Sequence, residues 1–151
     1  MKAPVVRQAA RVLLLDGAGR VLLFRGHDPA RPDKGSWWFT VGGGIDDGES
    51  ARGAAARELL EETGLALPPE SFSGPLYSEY AEFSIAGTDY RQDNEFFAVR
   101  VEQHDVVITG FTDLETMFVL EHRWWSPAEL LATSDTVYPT CLPDLLARLE
   151  V

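Results

Sequence analysis

Glu58, Glu61 and Glu62 stand together in the run Arg57-Glu58-Leu59-Leu60-Glu61-Glu62, just ahead of Gly64. On a helix that turns about 100° per residue the three carboxylates share an arc of about 100°, with Gly53, Ala56 and Leu60 roughly opposite. Like charges at i and i+4 repel by a few tenths of a kcal/mol, and no lysine lies nearby to relieve them. The cluster also falls in the last turn, where the helix dipole disfavours anions. A sequence shaped for stability alone would place Lys or Arg there. An acidic face open to water is the ordinary alternative, and the missing counter-charges weigh against it. Convergent carboxylate oxygens suit a hard divalent cation, Mg²⁺ or Mn²⁺, with positions left for water and phosphate oxygens.

A helix carrying these groups needs a start, a stop and a support. Asp47 or Ser50 is available as N-cap, Gly64 stands where the residue past the helix end falls, and Pro68-Pro69 forbid continuation. The stretch Ser36 to Val41 reads as a strand that runs into Gly42-Gly43-Gly44, where backbone can come close to a ligand. Upstream, residues 4 to 15 and 20 to 25 read as strands joined by the turn Asp16 to Gly19, which makes them a hairpin. Downstream, residues 76–85 and 94–102 read as strands on either side of a turn at Gly87 to Tyr90. A loop with Asp113 and Glu115 follows, and Glu121 to Trp125 is a last strand. Ser126, with Glu129 three residues on, caps a helix through Leu131, and residues 142–149 form a C-terminal helix. The order β-β-β-α-β-β-β-α-α predicts an α/β fold, with helices packed on a mixed sheet.

Composition limits the partners. The chain has 151 residues, 45% of them hydrophobic and 25% charged, as expected of one globular domain over 1–151. A formal charge of -11 opposes binding to a nucleic acid duplex, which draws on Lys and Arg. A small phosphorylated ligand stays open if a divalent cation offsets its charge. The single cysteine, Cys141, fits a reducing compartment and a buried packing role. No apolar stretch reaches about 18 residues, so the expectation is a soluble, cytoplasmic protein without a membrane partner.

Taken together, Gly43, Glu49, Arg57-Glu58-Leu59, Glu61-Glu62 and Gly64-Leu65 reproduce the spacing G-x5-E-x7-R-E-U-x-E-E-x-G-U, with U aliphatic. This resembles the Nudix box, and every specified position is filled. Val41 stands where the family often has proline. The resemblance implies an α/β/α sandwich around a mixed sheet, and hydrolysis of a nucleoside diphosphate derivative by in-line attack of water on phosphorus, with Mg²⁺ or Mn²⁺. It implies that Glu58, Glu61, Glu62 and the carbonyl of Gly42 bind metal, while Glu49 and Arg57 hold the box together and orient the first ligand.

The family's general base varies. Glu58 serves in some members and a later glutamate in others, for which Glu115 is the first choice here, ahead of Glu121 and Glu95. Arg25 stands where members reach the substrate phosphates. Trp38 is a candidate for stacking on a base, although core packing is the commoner fate of such a residue, and Glu121 is a further candidate at the substrate. The proline that tends to mark ADP-ribose hydrolases is replaced by Tyr80, which leaves a nucleoside triphosphate or similar small nucleotide favoured. The rival from another class is a catalytically silent module that senses a nucleotide or binds a partner. Such modules typically lose box glutamates, and all are present here. Members are often homodimers, so a second copy is an implied partner.

Overall fold

The computed structural model describes residues 3–108 and 110–149. Its centre is β1 (Val5–Leu15), where Ala9, Ala10 and Val12 to Leu15 are all buried. A strand lined on both faces by apolar side chains belongs in the middle of a sheet. β1 pairs in parallel with β5 (Thr88–Arg100) on one side and antiparallel with β3 (Ser36–Gly44) on the other. With β2 (Val21–His27), β4 (Ser73–Ile85) and β6 (Val119–Trp125), the six strands run in the order β4-β5-β1-β3-β2-β6.

The expected β1–β2 hairpin survives only at its root. The Asp16 carboxylate accepts bonds from the Ala18 and Arg20 amides and closes the turn, but the two strands pair only at Leu15 and Val21. Beyond that point β3 enters between them, pairing with β1 from Ala9 to Val12 and with β2 from Leu23 to His27.

Alternation along the strands divides the apolar side chains between two faces. Ala10, Val12, Leu14, Phe24 and Val41 meet Ala54, Ala55 and Leu59 of α1 (Ala51–Thr63). Leu13, Leu15, Leu23 and Trp38 meet Leu130 of α3 (Pro127–Ala132) and Leu142, Leu145 and Leu146 of α4 (Leu142–Leu149). The result is the three-layer α/β/α arrangement with a mixed sheet.

Three further details differ from the sequence expectation. β4 and β5 are longer, and they turn at Ala86-Gly87 rather than over Gly87 to Tyr90. Two polar residues of β5, Gln92 and Asn94, are buried and joined by a side-chain bond of 2.7 Å. Finally, Glu115 lies in a short helix, α2 (Asp113–Phe118), rather than in a loop. Thr112 and Glu115 form a reciprocal capping box that offsets the weakness of so short a helix.

Candidate metal and catalytic site

Ser50 starts α1 by accepting the Gly53 amide at 2.9 Å, and Gly64 ends it in the left-handed conformation. That frame turns Ala54, Ala55, Glu58, Leu59, Glu62 and Thr63 inward, while Leu60 on the opposite face is 49% exposed. Two of the three glutamates therefore lie beneath the helix, which packs the acidic face and leaves the Leu60 side to water.

Two glycines of β3 make room for them. Gly42 adopts φ 138, and a Cβ there would meet the carbonyl of Ala10 and come 2.7 Å from the Cα of Arg11. Its amide donates to Glu62 Oε1 at 2.7 Å. A Cβ on Gly43 would lie 2.6 Å from Glu58 Oε1. The strand end is thus a cradle into which only backbone fits.

Arg57 is the hub of the box. Its Nε and Nη2 donate to the two carboxylate oxygens of Glu49, each at 2.8 Å, and Nη2 also donates to the Gly44 carbonyl at 2.9 Å. Nη1 reaches Glu58 at 3.1 Å and Glu61 at 3.4 Å. A bidentate fork of this kind fixes orientation as well as adding energy. Bonding to Arg57 holds the Glu49 carboxyl below its usual range, and the same pairing raises Arg57. Helix and preceding loop are tied together by this one side chain.

α2 supplies the remaining carboxylate. Oxygen atoms of Glu58, Glu62 and Glu115 all lie within 4.8 Å of one another. The approach is fixed by the preceding segment, where the Thr63 carbonyl accepts from the Val107 amide at 2.8 Å and from His104 Nε2 at 2.7 Å. Burial pushes the Glu58 carboxyl up, with Arg57 opposing and Glu61 adding to the rise. Glu62 is pushed well above the usual range, first by burial and then by its bond with Glu115, against the pull of Arg11. Burial and crowding favour the protonated forms of Glu58 and Glu62, and a divalent cation would offset that charge instead. Hard oxygen donors at this spacing fit such an ion.

The other expected site residues are placed apart from this cluster. Arg25 bonds Ser36 at 3.0 Å and pairs with Glu121 at 3.3 Å across the β2–β6 ladder. Trp38 is 3% exposed, packs edge-on against Trp125 and donates to Asp135. It is a core residue, and base stacking would need the surface it lacks. Glu95 lines a separate groove with Ser50, Arg52 and Glu70. Among the base candidates offered by the sequence, Glu58 and Glu115 share the cluster.

Sequence reasoning passed over Arg11 and Arg7. Arg11 bonds Thr40 through Nε, at 3.2 Å to Oγ1, and through Nη2 to the carbonyl. Burial lowers its pKa, against the attraction of Glu62, Glu58 and Glu115. Arg7 bonds the buried Gln92 and lies over the Tyr90 ring at 4.8 Å. The available signal was a charge interrupting the apolar run from Ala9 to Leu15, which a buried strand tolerates only with a partner.

A family model described as NUDIX domain matches residues 5–145. The RNA pyrophosphohydrolase of Novosphingobium aromaticivorans is 48% identical over 135 residues, covering 82% of this chain and 80% of that one. The match to the RNA pyrophosphohydrolase of Dinoroseobacter shibae is 49% identical over 61 residues, and spans 40% of this chain but only 36% of the relative. Among solved structures, the dihydroneopterin triphosphate pyrophosphohydrolase of E. coli superimposes with a TM-score of 0.61 at 22% identity, covering 87% of this chain and 90% of its own.

Proposed function

The chain belongs to the Nudix family, and from that premise we propose that it is a divalent-metal-dependent pyrophosphohydrolase acting on a nucleoside diphosphate derivative. Water attacks a phosphorus of the diphosphate, the P–O anhydride bond breaks, and two phosphorylated products leave. The observation that carries the reading is the convergence of Glu58, Glu62 and Glu115 within 4.8 Å behind the Arg57–Glu49 fork.

Glu58, Glu61, Glu62 and the Gly42 carbonyl would hold the cation, with Glu115 reaching the same cluster from α2. When bound, Mg²⁺ or Mn²⁺ offsets charge on the diphosphate and makes a water more acidic. Glu115 is our choice to accept that water's proton, because it comes from a separate element and is half-exposed where Glu58 and Glu62 are buried. The Arg57–Glu49 fork holds the Glu58 carboxylate in one orientation, and the Gly42 amide does the same for Glu62. Phosphoryl transfer depends chiefly on such positioning and on charge.

A nucleoside triphosphate or similar small nucleotide is the favoured substrate class, and the kinship with RNA pyrophosphohydrolases adds the 5′-triphosphate end of a single-stranded RNA to the panel. The test is a screen of nucleoside triphosphates, dinucleotides, ADP-ribose and 5′-triphosphorylated RNA with Mg²⁺ or Mn²⁺, reading released phosphate, pyrophosphate and nucleotide. Metal-dependent turnover that Glu62→Gln reduces by orders of magnitude is expected. Equal activity in that variant, or binding of one member without any hydrolysis, would overturn the reading, the latter in favour of a sensing module.

A further inference from the structure

We propose that Arg11 contacts the substrate, its guanidinium donating to a phosphoryl oxygen of the diphosphate beside the carboxylate cluster. The inference rests on the pyrophosphohydrolase reading above.

Arg11 interrupts β1 between Ala10 and Val12, both fully buried, and sits opposite Gly42, whose amide holds Glu62. Two of its three guanidinium nitrogens are committed to a single residue, Thr40, through Oγ1 and the carbonyl. That double bond to one partner fixes the plane of the group. Glu62, Glu58 and Glu115 all attract its charge. Among the described residues, however, it closes no ion pair with them, and Nη1 has no hydrogen-bond partner. Arg57 shows the contrast, since it meets Glu49 at 2.8 Å through two nitrogens. A cation whose task ended at neutralising carboxylates would collapse onto them in the same way.

Thr40 instead keeps Arg11 in reserve beside the acids. The side chain is half-buried, so a donor is both shielded enough to bind strongly and open enough to be reached. A planar donor with an uncommitted nitrogen suits a phosphoryl oxygen. In a chain of net charge -11 a fixed cation at this place also offsets the charge of an incoming diphosphate.

The test measures two affinities separately. Methylenediphosphonate, a diphosphate mimic that cannot be hydrolysed, is titrated calorimetrically into the Mn²⁺-loaded protein, and Mn²⁺ alone is titrated by electron paramagnetic resonance. Arg11→Met should weaken methylenediphosphonate by about ten- to a hundred-fold, the range for a bond to a charged group. Mn²⁺ should bind as well as before or more tightly, because a neighbouring cation has gone. Arg11→Lys keeps the charge but loses the fork, and should fall between the two. It decides the matter if the Met variant fails to fold. Unchanged methylenediphosphonate affinity, or loss of Mn²⁺ binding, would overturn the proposal and make Arg11 a structural partner of the carboxylates. Wild-type protein that neither binds the mimic nor hydrolyses any nucleotide sinks the underlying reading as well, whereas an active wild type with indifferent variants sinks this inference alone.

Discussion

Replacing Glu62 by glutamine should stabilise the protein in the absence of divalent cations and remove its response to them. Glu62 is 3% exposed, and one of its oxygens lies within 4.8 Å of an oxygen of Glu58 and of Glu115. At an effective dielectric constant of about 20, two like charges at that distance repel by about 3.5 kcal/mol. Arg11 offsets part of this, and protonation relieves more at low pH. A glutamine keeps an oxygen for the Gly42 amide and loses the charge, so the net gain at pH 8 with EDTA should be about 1–3 kcal/mol. The sign of the pH dependence follows from the direction of the shifts. The carboxyls of Glu58 and Glu62 are raised in the folded state, so these two groups bind more protons in the folded protein than in the unfolded chain. Their contribution to stability must then fall as pH rises from the ordinary carboxylate range, near 4.3, through the folded values. The advantage of the variant should therefore grow from pH 5 to pH 8. Denaturant unfolding in EDTA at the two pH values measures it. With Mn²⁺ at about a hundred times its dissociation constant the wild type should gain about 2.7 kcal/mol, and the variant far less. A Glu62→Gln protein that is destabilised equally at both pH values would refute the view that this carboxylate is held at a cost for the sake of a cation.

Three other substitutions probe the frame. Glu49→Gln breaks the charged fork on Arg57, so kcat should drop by about ten- to a hundred-fold, as expected for a charge-assisted bond, with Mn²⁺ still bound; a kinetic comparison at saturating Mn²⁺ checks this. Gly42→Ala forces a side chain against the Ala10 carbonyl at φ 138, and should cost about 3 kcal/mol or more in urea unfolding. Glu115→Gln should lower kcat with little change in Mn²⁺ affinity if Glu115 is the base, and a loss confined to Mn²⁺ affinity would make it a ligand instead.

The helix, its caps and the glutamate spacing were legible because each is a local matter. Ser50, Gly64 and the Arg57 to Glu62 run act within a few residues of one another, and the structure keeps them as read. How deeply the acidic face would be buried was not legible. The missing counter-charges weighed against a wet face, but burial of Glu58 and Glu62 depends on the glycine cradle of β3. The wedge of β3 between β1 and β2 is a pairing choice between distant segments, so a tight turn at Asp16 to Arg20 gave no hint of it. α2 carried a capping-box signature at Thr112 and Glu115, but six residues are too few for periodicity to show. Arg11 was visible only as an interruption of an apolar run. Its neighbours, Thr40, Glu62 and Glu115, are assembled from β3, α1 and α2. Trp38 went to the core because β3 lies inside the sheet, where both of its faces are covered.

The parallel joint between β1 and β5 bears on the order of events during folding. Arg7 and Gln92, bonded across it, are 85 residues apart in the chain, and Glu115 reaches the box from farther along still. Loop closure on that scale is slow and comes before any reward from the contacts it brings. The three carboxylates therefore meet only when the sheet is essentially complete, and a cation has no assembled site to grip earlier. Added Mn²⁺ should leave the refolding rate almost unchanged and act on the unfolding rate, so that metal prolongs the lifetime of the finished molecule without guiding its formation.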